Sequence, residues 1–127
     1  MGLIGRVTAD REARIPLLVR SGEGTQRKIG VVIDTGFIDT GFNGVLGLPA
    51  HLIEELGLSF IGRERMLLAN GELHFAGMYR AFVDMEDRVY SVRVVEAGEP
   101  LAGMSLLWEY EPRIQCMDGG QVVLERL

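Results

Sequence analysis

Residues Val31 to Pro49 read VVIDTGFIDTGFNGVLGLP, and they say one thing twice. Ile33-Asp34-Thr35-Gly36-Phe37 is followed without a gap by Ile38-Asp39-Thr40-Gly41-Phe42. Asp and Gly are turn residues, so Asp-Thr-Gly on its own reads as a turn. The approach to it adds something. Ile29 to Ile33 is an apolar, strand-like run that delivers Asp34 at its end. A carboxylate at the end of a buried strand is costly unless something uses it. Thr supplies a hydroxyl and Gly a permissive backbone, which suit a tight turn whose amides point at the carboxylate.

Outward from this stretch the chain alternates short apolar runs with turn residues. Upstream, IPLLVR and RKIGVVI flank SGEGTQ and form one hairpin. Downstream, PAHLIEELG has leucine and isoleucine at helical spacing, with Pro49 opening the helix and Gly57 stopping it. RERMLLA and ELHFAGMYRAFV flank Asn70-Gly71, a strong two-residue hairpin signal because both residues tolerate positive φ. MEDR separates Ala81-Phe82-Val83 from VYSVRVVEAG in another hairpin, and Asp118-Gly119-Gly120 joins RIQCM to QVVLERL in a last one. GMSLLWEYEP predicts a second short helical turn, ended by Pro112. The expectation is one mostly β domain over residues 1–127, with one or two short helices.

Composition narrows the function classes. The chain has 127 residues, enough for one domain with a core. Its net charge is -5 and it carries no basic run, which disfavours nucleic acid as a partner. No apolar run has the length of a membrane span, and the N-terminus lacks the apolar stretch of a signal peptide. The lone Cys116 has no disulfide partner within the chain, so a reducing, cytoplasmic setting is expected. Its apolar surroundings predict a buried structural thiol. His51 and His74 have no metal-ligand spacing. Ile61, Leu68 and Val83 read as core, and Glu54, Glu55, Glu109 and Glu111 as solvated helical faces.

Acid–base hydrolysis needs two groups in different protonation states. Two close carboxylates share one proton, so one can act as base on a water and the other as acid toward a carbonyl. Asp34 and Asp39 are too near in sequence for each to end an equivalent strand. Two copies of the chain meeting at a two-fold axis supply a symmetric pair more simply.

The order and spacing of these segments resemble the retroviral-type, or retropepsin-like, single-domain aspartic peptidases, in particular their bacterial branch, over nearly the whole chain. The apolar strand with Asp-Thr-Gly is similar to the catalytic turn. NGVLGLPAHLIEELGL resembles the segment that follows it, LLANGELHF the flap hairpin, LAGMSLL the apolar pair, glycine and short helix, and RIQCMDGGQVVLERL the C-terminal strands. The resemblance implies a closed β-barrel active as a homodimer. Each chain would give one catalytic aspartate, Asp34 or alternatively Asp39. Thr35 and Gly36, or alternatively Thr40 and Gly41, would complete the turn. Ala69, Asn70 and Gly71 would form the flap over an extended peptide or protein substrate. Neither metal nor cofactor is implied. Three features depart from the pattern: the tandem copy, Phe37 or Phe42 after the glycine, and Met104 where viral members have arginine. The tandem copy and Met104 favour an alternative in which the fold serves as an inactive dimerisation or peptide-binding module.

Two anchors disagree on the catalytic copy. Counted from the upstream hairpin, Asp34 ends the unbroken strand, and strand register is fixed by turn and alternation. Counted back from NGVLGLP, Asp39 has the family's spacing. An insertion in a loop disturbs less than one in a buried strand, which favours Asp34.

Overall fold

A computed structural model describes residues 2–36, 38–39, 42–43, 45–67, 70–85 and 88–127. The strands are β1 (Leu3–Val7), β2 (Ala13–Arg20), β3 (Gln26–Ile33), β4 (Ile38–Asp39), β5 (Phe42–Asn43) and β6 (Leu46–Leu48). After helix α1 (Ala50–Leu56) come β7 (Ser59–Leu67), β8 (Leu73–Asp84), β9 (Val89–Glu96), β10 (Leu101–Ala102), β11 (Tyr110–Ile114) and β12 (Gln121–Arg126). Strands hold more than half of the described residues, against one short helix among them, so the class is mostly β.

Alternation builds the barrel wall. Along β2, Ile15, Leu17 and Val19 are fully buried while their neighbours are only partly so. That is the two-residue period of a strand with one face on a core. The hairpin register sets Ile15 opposite Val31 and Leu17 opposite Ile29. From β3 the hydrogen-bonded order runs through β10, β6, β9 and β8, and β8 returns to β2 through Leu18↔Asp84, Val19↔Val83 and Arg20↔Phe82. Six strands thus close on themselves, which removes the open edges of a flat sheet. Leu46, Leu48, Ala81, Val83, Val94 and Leu124 join the core. Helix α1 lays Leu52, Ile53 and Leu56 onto it, and Gly57 ends the helix in the left-handed region at φ 63°. Outside the barrel, β1 pairs with β2 and β12, and β12 pairs with β11.

The hairpins expected from the turn residues are present: β2–β3, β7–β8, β8–β9 and β11–β12. Four expectations are corrected. Pro49 caps α1 from an extended conformation (φ -61°, ψ 151°) and is not its first helical residue. The second helical turn is one turn long, with the Leu106 and Leu107 N–H groups donating to the Gly103 carbonyl at 3.1 and 3.2 Å, and one more turn closes where the Tyr110 N–H donates to the Leu107 carbonyl at 2.9 Å. Glu109 then takes φ 69°, and the chain straightens into β11, so Glu111 lies on a strand. Pro112 stands within that strand opposite Leu124, where an edge position tolerates its missing N–H. Cys116 is exposed, because β11 stops at Ile114 and leaves the thiol in the turn. Ile61 is 42% exposed: pairing jumps from Phe60↔Tyr79 to Gly62↔Met78, and Ile61 is the unpaired residue of the resulting bulge. Val83 is buried as expected, and Leu68 lies outside the described residues. Among the described residues no helix is long and apolar enough to cross a membrane.

Candidate active site

Asp34 is the first residue beyond β3, and backbone pairing fixes its position. Strand β10 runs parallel to the end of β3, with Leu101 beside Val32 and Ala102 beside Ile33. The Val32 N–H donates to the Pro100 carbonyl and the Asp34 N–H to the Ala102 carbonyl, both at 2.9 Å. On the far side of β10, Leu101 pairs with Gly47 and Ala102 with Leu46, and the buried Gly103 donates its N–H to the Val45 carbonyl at 3.0 Å. Leu101-Ala102-Gly103 and the first Asp-Thr-Gly are therefore brought side by side.

The Asp34 side chain folds back on its own turn. Its Oδ1 accepts the Gly36 N–H at 3.0 Å, closing an Asx turn. Asp34 is half-buried, while Thr35 and Gly36 are exposed. The carboxylate thus has one oxygen held by the backbone, and the Thr35 hydroxyl belongs to a residue open to solvent. A single carboxylate so held can accept a proton from a water or donate one, but a hydrolytic acid–base pair needs a second group in the other protonation state. Among the described residues no group of three or more His, Cys, Asp and Glu is placed to hold a metal ion.

The second copy has a different setting. Strand β3 runs unbroken to Ile33, and Ile38–Asp39 pairs with Phe42–Asn43 as a separate two-stranded unit. Asp39 is thus on a small hairpin after the barrel strand, not at that strand's end. Thr40 and Gly41 lie outside the described residues.

At the expected flap, β7 and β8 pair from Ser59↔Arg80 to Leu67↔Leu73. Asn70 Oδ1 accepts the Glu72 N–H at 3.0 Å, and Gly71 takes φ 86°, which favours glycine. Ala69 lies outside the described residues. Leu73 and Phe75, near this tip, are 59% and 67% exposed. They were not singled out from the sequence, although their alternation in LHFAG puts both on one side of the strand. Met104 is also exposed, one residue beyond Gly103. No protein-family model, curated protein or solved structure matches the chain.

Proposed function

We propose that the chain is a retropepsin-like aspartic endopeptidase that works as a homodimer, with Asp34 of each copy forming the catalytic pair. The observation that carries this reading is the seating of Asp34: a half-buried carboxylate at the end of a core strand, its backbone tied to β10 and its Oδ1 to Gly36. Such anchoring fixes a carboxylate closely enough for acid–base work, where small misplacements are costly. In the reaction, a water lies between the two carboxylates. The ionised one takes its proton as the water oxygen attacks the scissile carbonyl, and the protonated one donates to the carbonyl oxygen. Collapse of the tetrahedral intermediate returns a proton to the leaving amine. Thr35 steadies the turn across the two-fold axis, and the β7–β8 hairpin, with Leu73 and Phe75, covers the extended substrate. The chemistry calls for neither metal nor cofactor.

The test is cleavage of a mixture of unstructured peptides from acidic to neutral pH. Asp34→Asn is expected to lower the rate by at least about a hundredfold, the scale of one acid–base group. Asp39→Asn should leave most of it. Loss in Asp39→Asn alone would move the assignment to the second copy. A specific observation favours a second reading, an inactive dimerisation or peptide-binding module: the β4–β5 hairpin follows the Asp34 turn directly, where a two-fold partner would have to approach. A folded, dimeric wild type with no turnover would put that reading first.

A further inference from the structure

Asp34 is anchored on β10, so whatever holds β10 bears on Asp34. The strand has two residues, and the chain entering it has few donors of its own. The Ala97 N–H donates to the Leu48 carbonyl. Then come Gly98, which stands in open space, Glu99, and Pro100, which has no N–H to give. The Pro100 carbonyl accepts the Val32 N–H at 2.9 Å, two residues before the Ala102 carbonyl accepts the Asp34 N–H.

Arg14 reaches this entry from β2. It lies opposite Val32 across β2–β3, and Val32 lies beside Leu101, so the three share one row over β2, β3 and β10. Its side chain is only 31% exposed and meets acceptors on three separate segments. Between β1 and β2, Glu12 Oε1 accepts from Nη2 at 2.8 Å. On β3, the Gly30 carbonyl accepts from Nη1 at 3.1 Å. At the entry of β10, Glu99 Oε2 stands 3.8 Å from Nη2. Arg6 faces Arg14 across β1–β2, a like-charge pair that costs stability, and Glu12 and Glu99 bring the opposite charge. A guanidinium can serve several acceptors at once because its donors form a fixed fork, whereas an ammonium is a compact point charge.

We propose that Arg14 is a positioning residue for Asp34: by holding Glu99 toward β2 it clamps the entry of β10 and keeps the Ala102 carbonyl against the Asp34 N–H. The clamp joins β2 to β10 over the end of β3, the strand that delivers Asp34. Its bearing on hydrolysis rests on the reading of Asp34 as the catalytic acid, but the clamp itself does not. A partly exposed ion pair contributes modestly to the stability of a whole domain. A two-residue strand has little else to hold it, so the same contribution changes how often the strand is displaced.

Relaxation dispersion of backbone 15N nuclei detects such displacements on the microsecond to millisecond scale. The full chain would be measured at one fixed protein concentration, with the displaced population read at the Asp34 amide. Arg14→Gln and Glu99→Gln should each raise that population about threefold, the scale of a partly exposed ion pair. The double variant should go no further than either single one, because both remove the same contact. Arg14→Lys keeps a positive charge near Glu99 and should hold the rise below about twofold. Arg27→Gln removes a surface guanidinium paired with Glu55 and should leave the Asp34 amide unchanged. The proposal is overturned by an unchanged population in Glu99→Gln, by additive effects in the double variant, by no rescue in Arg14→Lys, or by an equal rise in Arg27→Gln. An equal rise at the amides of Ile15 and Val31, in the middle of β2–β3, overturns it too, since the loss would then be general. Glu99 is 46% exposed, so Glu99→Gln keeps the test decisive should Arg14→Gln fail to fold. Dispersion needs no turnover, so failure of the endopeptidase reading and failure of the clamp are distinguishable.

Discussion

Two carboxylates illustrate how local partners set what an acid can do. Asp34 Oδ1 takes a neutral backbone N–H from Gly36. Glu12 Oε1 instead takes the Arg14 guanidinium at 2.8 Å. That hydrogen bond outweighs the opposing effect of burial and, with the guanidinium's charge and a hydrogen bond with Glu99, holds the Glu12 carboxyl below its ordinary value of 4.5. A folded-state value below the unfolded one means stability that is fully present above the ordinary value and lost as pH falls through the lowered one. Glu12→Gln should therefore lower the melting temperature slightly at neutral pH and not at all at strongly acidic pH, as thermal melts of the two proteins across that range would read. An equal deficit at both ends would show that the pair contributes through packing and not through charge. Residue chemistry of this kind was partly legible in the sequence. Asp34 was marked by the apolar run before it, whereas the exposure of Cys116 depends on where β11 ends, which four neighbouring letters do not state.

Elements that rest on local signals read correctly, and those that rest on distant partners did not. Asn70-Gly71 and Asp118-Gly119-Gly120 announced their hairpins because turn chemistry and alternation are both local. Tyr110 and Glu111 were misread as the end of a helix, while Arg113 and Ile114 were read as strand, because the strand character of the first two comes from β12, which they meet only after a turn. Val83 and Ile61 show the same limit. Both are β-branched residues in apolar runs, yet Val83 is fully buried and Ile61 is turned out by a bulge. Val83→Ala should cost about 2 kcal/mol through the lost methyl groups and the cavity they leave. Ile61→Ser should stay within about 0.5 kcal/mol, as for an exposed site. Chemical denaturation of the two variants checks this pair, and similar losses would mean that the bulge is packed against something.

For the whole molecule, closure of the barrel is the property least visible in the sequence. The seam between β2 and β8 is three residue pairs joining segments far apart in the chain, and β10 contributes two residues to the wall. No periodicity is detectable in two residues. Yet β10 is what sets Asp34 apart from Asp39, since the Asp34 N–H is bound to Ala102 while the second copy pairs within its own hairpin. The choice between the copies thus depends on a long-range pairing that alternation along β3 could favour but not supply.

The brevity of β10 has a consequence in time. Hydrogen-bonded amides exchange with solvent deuterons only when their segment opens, and openings follow cooperative units. The amides of Asp34 and Gly103 both depend on one narrow strip, the first through Ala102 and the second through Val45. In native-state exchange followed by NMR they should take up deuterium at a common rate, faster than amides in the middle of β2–β3. Rates as slow as those of the deepest core would mean that the strip opens only when the whole barrel does. A shared faster rate would make the opening of β10 the interval over which Asp34 is released from its backbone anchor, and would give that interval a measurable length.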